Sequence, residues 1–157
     1  MDINSEIEIY WKEFCNKMKI SVNTNYQHWY FGNSEKMSKE LCELVLKGKK
    51  TATASLQWVY ENKPEDLPIP NGYSIITDFQ RKPKCIIQTI SIDIVTFNKV
   101  SEEFARKEGE GDLSLKYWRD VHWAYFSKEC QEIGRQPRQD MPIICEEFKL
   151  VYKSLVT

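Results

Sequence analysis

The first third of the chain carries two runs of apolar residues with helical spacing. In the first run the positions i, i+3, i+4, i+7 and i+11 are apolar, which is the pattern of one buried helix face: Ile7, Tyr10, Trp11, Phe14 and Met18. This pattern predicts an N-terminal helix over about residues 5–19. The second run predicts a helix that begins at Ser34, a favourable N-cap, and ends at Lys47, just before Gly48.

Four later segments, 51–60, 73–79, 85–97 and 143–152, are predicted to be strands. The third is rich in Ile, Val and Thr, which favour strands. Strict alternation along this segment would place six side chains on one face of the sheet: Ile86, Gln88, Ile90, Ile92, Ile94 and Thr96. Residues 23–32 are predicted to form a loop.

Two further helices are predicted between the third and the fourth strand. The first begins at Ser101 and ends near Lys107, and the longer second begins at Asp112 as its N-cap and ends at Gly134. Hairpin-joined strands and separately grouped helices indicate an α+β fold with a mostly antiparallel, curved sheet. Closure into a small barrel would remove the exposed edges of that sheet. We expect the 157 residues to form one domain.

Composition excludes several classes of protein. The net charge of −1 argues against a protein that coats nucleic acid through an excess of basic residues. No apolar run is long enough for a membrane span, and the acidic first residues do not resemble a secretion signal, so we expect a cytoplasmic protein. The cysteines and the two histidines lack metal-ligand spacing, so we expect reduced thiols, no metal and no cofactor.

The segment that follows the second helix has the most informative chemistry. Lys49 and Lys50 come directly after Gly48, and hydroxyl residues then alternate with alanines at Thr51, Thr53 and Ser55. In a strand these three hydroxyls would share one face beside a lysine, an arrangement that suits an anionic or carbonyl-bearing ligand. The same pattern is also typical of a helix C-terminus and an edge strand with its lysines in solvent.

A second candidate is the segment Glu108-Gly109-Glu110-Gly111-Asp112, which lies between two predicted helices. It is typical of a flexible acidic turn in which Asp112 caps a helix. It could also supply a carboxylate to Lys50, because a lysine and a glutamate paired beside a hydroxyl would form an acid/base site. Trp58 and Ser127 are weaker candidates, the first for stacking on a base and the second for contacting a phosphate.

The order of these segments resembles the ASCH domain family, whose members have a PUA-like fold. The resemblance rests on Gly48–Thr53 after a helix, the strand 73–78, Phe104-Ala105 and the acidic segment that begins at Glu108. Other segments resemble the larger bacterial branch of the family: Phe31–Ser34, Ser55–Trp58, Tyr117–Arg119 and Phe126–Cys130. The resemblance covers roughly residues 31–152 and implies a small β-barrel of mostly antiparallel strands flanked by helices.

The resemblance also implies a function linked to RNA. Short members of the family include amidohydrolases that remove the acetyl group of N4-acetylcytidine with a Lys, a Thr and a Glu. By motif these correspond to Lys50, Thr53 and Glu108, which we expect to be catalytic. We expect six further residues to contribute to binding: Lys49, Thr51, Ser55, Trp58, Asp112 and Ser127.

Three functions stay open on the sequence. In amide hydrolysis Lys50 would act as general base, Thr53 would supply a hydroxyl or orient water, and Glu108 would protonate the departing amine. In a metal-independent ribonuclease a charged Lys50 would stabilise the phosphorane, and Thr53, Ser55 or Ser127 would contact phosphate oxygens. In a non-catalytic module the same groups would bind RNA or a nucleotide. The expected partner is RNA or a modified nucleoside.

Overall fold

The computed structural model describes residues 2–154. In that range the chain forms four α-helices and five strands. In chain order they are α1 (Ile3–Met18), β1 (Tyr26–Trp29), α2 (Glu35–Leu46), β2 (Ala52–Leu56), β3 (Tyr73–Thr77), β4 (Pro83–Thr96), α3 (Glu102–Glu108), α4 (Leu115–Glu132) and β5 (Pro142–Lys153). Short 3₁₀ turns follow β2 and β4.

The five strands form one sheet in the order β1-β3-β4-β5-β2. β1 runs parallel to β3, and the other three pairs are antiparallel. The predicted α+β class and the mostly antiparallel sheet are therefore confirmed. Within residues 2–154 the edge strands β1 and β2 are not paired with each other, so the sheet is open and "barrel" describes it only loosely.

The two predicted N-terminal helices are confirmed, and their caps explain where they begin. The Asp2 side chain accepts a hydrogen bond from the Ser5 backbone at the start of α1, and Ser34 does the same for Met37 at the start of α2. The apolar face of α1 packs on Ile75 and Ile86 of the sheet. α2 covers the neighbouring part of the sheet with Cys42 and Val45.

One loop prediction and one strand prediction are wrong. Residues 23–32, predicted to be loop, contain β1, whose backbone pairs with β3 from Tyr26 opposite Tyr73 to Trp29 opposite Ile76. β2 ends at Leu56, and the next four residues form a 3₁₀ turn and not a continuation of the strand to residue 60. In both cases long-range pairing and packing decided the structure of a short segment with little local signal.

The strict alternation predicted along β4 is also wrong. The register of β4 against β5 shifts between Thr89 and Ser91, so one extra residue is inserted at Ile90. As a result Ile90 and Ile94 are exposed, whereas Thr89 is buried. Thr89, directly before the inserted residue, donates a hydrogen bond to Glu146 of β5.

The longest helix, α4, begins two residues later than its predicted cap. Ser114 is its N-cap and accepts a hydrogen bond from the backbone of Tyr117, whereas Asp112 accepts one from the backbone of Ser114. The buried face of α4 consists of Trp118, His122, Phe126 and Cys130. All five cysteines of the chain are buried free thiols, as the scattered spacing predicted.

Candidate functional site

The acidic segment after α3 lies directly against the lysine segment before β2. Gly109 ends α3 with a φ of 75°, and a Cβ at this position would collide with the carbonyl oxygen of Lys49. The Thr51 backbone N–H donates to the Lys107 carbonyl at 2.8 Å, which fixes the two segments side by side. Only glycine allows this close approach, which sets Glu108 and Glu110 on either side of it against Lys50.

Lys50 is the centre of a buried ionic cluster. Its side chain is 2% exposed, and its Nζ lies 3.1 Å from Glu110 Oε2 and 3.8 Å from Glu108 Oε2. Its ammonium group also lies over the Phe31 ring, 5.5 Å from the centroid. A buried ammonium needs such partners, because an unpaired charge is costly to remove from water.

His122 completes the cluster, and it lies beside the same Glu108 oxygen as Lys50. Its Nε2 lies 2.9 Å from Glu108 Oε2, and its Nδ1 lies 2.9 Å from the Trp118 carbonyl. Because a carbonyl only accepts, Nδ1 carries a proton and donates it to Trp118. Burial opposes the charged form, but Glu108 outweighs it and raises the pKa of His122. The imidazolium form is therefore the one that this geometry favours.

The two glutamates of the cluster differ in how readily they ionise. Burial alone would raise the pKa of Glu108, but Lys50 and His122 together lower it to about 2. For Glu110 burial dominates, and with the nearby Glu108 carboxylate it raises the pKa although Lys50 opposes the shift. Of the two carboxyl groups, Glu110 is therefore the one that takes up a proton more readily.

The cluster forms the floor of a cavity of about 560 Å³, which we call the Lys50 pocket. α2 supplies one apolar wall through Met37, Leu41 and Leu44, and α4 supplies the other. Thr53 of β2 borders the same space as Lys50, Glu108 and Glu110. A mainly apolar cavity with a few converging polar groups is typical of small-molecule sites.

Glu108, Glu110 and His122 also form the one group within residues 2–154 whose ligand atoms lie close enough to share a metal ion, within 4.8 Å of one another. The ammonium group of Lys50 already lies beside both carboxylates. A metal cation there would be repelled by that charge, so the ion pairs account for the cluster without a metal. The absence of a bound metal stays a prediction.

The hydroxyl residues predicted to share one face are separated by the structure. Thr53 and Ser55 border cavities, but the side chain of Thr51 donates to the Lys107 carbonyl at 3.4 Å outside them. Lys49 is exposed, and its backbone, not its side chain, meets the acidic segment.

The remaining predicted binding residues lie away from the Lys50 pocket. The Trp58 ring is covered by the Arg135 guanidinium, 3.7 Å from its centroid. Ser127 has a buried Oγ without a hydrogen-bond partner in the described part of the chain, and Asp112 lies in an exposed turn. None of the three lines this pocket, so their roles in binding stay predictions without geometric support.

The sequence pattern does not single out Glu110 or His122. It favours an acidic turn for Glu110, and for His122, on an aromatic helix, a place in the core or at its rim. A signal for Glu110 was present, since glutamates two residues apart around a glycine can both turn to one partner. No comparable signal marked His122, because its contact with Glu108 depends on how α4 packs on α3.

The chain belongs to the ASCH domain family. The family model described as "ASCH domain" matches residues 27–152. The matched segment includes the whole ionic cluster around Lys50 and begins after α1.

Two solved structures are similar to this chain over nearly its whole length. The ASCH domain from Lactobacillus crispatus JV V101 is 34% identical, with a TM-score of 0.87 over 94% of this chain and 95% of that chain. Protein EF3133 from Enterococcus faecalis V583 is 35% identical, with a TM-score of 0.87 over 95% of this chain and 90% of that chain. A search of the curated proteins found no match. No helix in residues 2–154 has the length and apolar character needed to cross a membrane.

Proposed function

We propose that this protein hydrolyses an acyl amide on a modified nucleoside of the N4-acetylcytidine type, free or within RNA, in the Lys50 pocket. One observation carries the proposal: a buried lysine, paired with two carboxylates, forms the floor of a cavity that Thr53 also borders. Membership of a family with RNA-linked members supports the substrate class. Because fold alone does not assign function, the argument depends on the chemistry of the site.

The geometry favours a different division of roles from the one that the sequence suggested. Lys50, held in two ion pairs, suits a cationic group that stabilises the oxyanion of the tetrahedral intermediate. Glu110, with its raised pKa, suits the group that transfers protons. Glu108, with its lowered pKa, is a poor proton donor, and we assign to it the positioning of Lys50 and His122.

The proposed reaction uses water and no cofactor. Glu110 takes a proton from a water molecule held by Thr53, and the water oxygen attacks the carbonyl carbon of the acyl group. The negative charge that forms on the carbonyl oxygen is stabilised by Lys50. Collapse of the intermediate breaks the C–N bond, and Glu110 returns its proton to the amine. The products are a carboxylic acid and the free amino group of the base.

The charge balance of the pocket favours an amide over a phosphodiester. The ammonium group of Lys50 is neutralised by Glu110 and Glu108 at 3.1 and 3.8 Å. With the His122 imidazolium the cluster has two cations and two carboxylates, so it offers a phosphate anion no net positive charge. An uncharged acyl group does not need such an excess of charge. The ribonuclease and non-catalytic alternatives have weaker support for the same reason.

The test is turnover of N4-acetylcytidine by the purified protein beside Lys50→Met and Glu110→Gln. We expect release of acetate and cytidine, with each substitution lowering the rate by about 100-fold or more. Lys39→Ala is the matched control, because Lys39 is an exposed lysine of α2 outside the Lys50 pocket and the variant should keep full activity. A folded Lys50→Met variant with normal turnover would contradict the assignment.

A parallel incubation with mixed RNA separates the alternatives. Strand cleavage that is lost in Lys50→Met, without release of acetate, would replace the amidohydrolase proposal with the ribonuclease. If the folded protein turns over neither substrate but binds RNA, the non-catalytic module is the correct function.

A further inference from the structure

A second cavity lies where the two edge strands of the open sheet, β1 and β2, face each other. This seam cavity has a volume of about 630 Å³ and shares five lining residues with the Lys50 pocket: Phe31, Gly32, Thr53, Ala54 and Tyr125. Its lining residues include six aromatic ones: Tyr26, Trp29, Tyr30, Phe31, Tyr60 and Tyr125. Apart from Thr53, which borders both cavities, no residue with a role in the proposed amide hydrolysis lines this cavity.

Glu146 of β5 borders the seam cavity and is nearly fully buried, with 5% of its surface exposed. Thr89 donates a hydrogen bond to its Oε2 at 2.7 Å, which fixes the carboxyl group. Its other oxygen, Oε1, receives no hydrogen bond from any residue between 2 and 154. Burial raises the pKa of Glu146, as expected for a carboxyl without a strong cationic partner of its own.

Glu129 of α4 borders the cavity from another side. Its side chain has no hydrogen bond or ion pair among the described residues, although its backbone carbonyl accepts from the Ile133 N–H. Burial, and to a smaller extent the charge of Glu132, raises its pKa to about 7. Two carboxyl groups of one cavity therefore lack the cation that would stabilise their charge.

The described lining of the seam cavity contains no lysine or arginine. The exposed Glu65 and Asp66 add negative charge to it. The nearby ammonium of Lys50 is already engaged by Glu110 and Glu108. A phosphate or carboxylate ligand would be repelled by these acidic groups, whereas a ligand cation would be attracted.

We propose that the seam cavity binds an organic ammonium ion, with Glu146 and Glu129 as counter-charges and aromatic rings as its walls. Aromatic faces attract ammonium groups through their quadrupole, and carboxylates supply the opposite charge. A metal ion fits less well, because neither glutamate belongs to a group of three described ligand side chains with atoms within 4.8 Å of one another. The inference stands apart from the amidase proposal, because it uses different charged residues.

The test compares the binding of choline, butylamine and 3,3-dimethyl-1-butanol by calorimetry at constant ionic strength. The alcohol has the shape of choline without its charge, so it separates charge recognition from apolar burial. We expect at least one of the two ammonium compounds to bind about tenfold or more tightly than the alcohol. Binding of butylamine alone or of choline alone would support the proposal and identify the type of ammonium group.

Substitutions locate the site. Glu146→Gln keeps an acceptor for Thr89 but removes the charge, and should weaken ammonium binding about tenfold or more. Glu129→Gln, at a less buried position, gives the same test if the first variant does not fold. Glu43→Gln, an exposed glutamate on α2, is the matched control and should bind normally.

Three results would overturn the proposal. The first is equal binding of choline and its uncharged analogue. The second is unchanged ammonium binding in folded Glu146→Gln and Glu129→Gln variants. The third is no binding of either ammonium compound at tens of millimolar.

Discussion

The Lys50 pocket and the seam cavity both contain carboxyl groups that are largely removed from solvent. The pKa values of two of them, Glu108 and Glu129, are shifted in opposite directions. Glu108 has Lys50 and His122 beside it, and its pKa is lowered to about 2 although it is 1% exposed. Glu129 is less buried but has no cationic partner among the described residues, and its pKa is raised to about 7. Depth of burial alone therefore does not decide whether a carboxyl stays ionised here. One cationic partner is not sufficient either, because Glu110 contacts Lys50 and its pKa is still raised.

The two cavities adjoin each other. Thr53 of β2 borders both of them, and its cross-strand partner on β5 is Glu146. One strand pair thus connects a cavity with balanced charge to a cavity with unbalanced acidic charge. Substitutions that change one cavity and leave the other intact can test this contrast.

Removing the charge of Lys50 should have the largest effect on stability. In Lys50→Met, Glu108 loses its lysine partner and remains buried, so we expect a loss of about 3–5 kcal/mol in the free energy of unfolding. Urea denaturation measures the change, with Lys49→Ala as the control expected to stay within about 0.5 kcal/mol. Adding Glu108→Gln to Lys50→Met should recover part of the loss. No recovery would argue against direct coupling of the two residues.

Gly109→Ala should separate the acidic segment from Lys50. Its φ of 75° and the predicted collision with the Lys49 carbonyl should together cost about 2–4 kcal/mol. Gly48→Ala is the matched control, because Gly48 has nearly the same φ, 76°, but open space around it, so only about 1–2 kcal/mol is expected. Gly109→Ala should impair the Lys50 pocket and leave ammonium binding in the seam cavity unchanged. Equal costs for the two alanines would contradict the close approach at Gly109.

The contribution of His122 should depend on pH. Because its pKa is raised in the folded protein, its ion pair with Glu108 stabilises fully below the unfolded value of 6.5 and is lost as the pH rises through the higher folded value. His122→Gln should therefore cost about 1–3 kcal/mol near pH 5.5 and less at pH 9. Unfolding curves at both pH values measure the difference. A cost that grows with pH would show that His122 is neutral in the folded protein.

Substitution of Glu129 in the seam cavity should have the smallest effect on the free energy of unfolding, and it should increase that free energy. Because the pKa of Glu129 is raised from 4.5 to about 7, its ionisation destabilises the fold as the pH rises through that window. Glu129→Gln should therefore stabilise the protein by about 1–2 kcal/mol at pH 8 and by little at pH 4.5. Thermal unfolding at both pH values tests this, with Glu43→Gln expected to show no such dependence. Destabilisation at pH 8 would reveal a cationic partner for Glu129.

The local sequence pattern was sufficient to predict the helices that have a clear apolar stripe or N-cap. The apolar stripe of α1 and the cap of α2 at Ser34 predicted both helices within two residues. β1 was missed because four residues on a sheet edge have too little pattern of their own and depend on pairing with β3. The inserted residue at Ile90 was missed because a bulge is set by register against a partner strand.

The sequence by itself determined which groups were available for chemistry: a lysine after a helix-ending glycine, alternating hydroxyls, and glutamates around a glycine that allows close approach. It also identified the family, because the order of those segments resembles that of ASCH domains. Only the tertiary structure decided that Glu110, sixty residues after Lys50, would be its nearest carboxylate and that His122 would hold Glu108 ionised. Electrostatic partners depend on distances of a few ångströms between distant segments, and those distances are fixed by packing and not by local pattern.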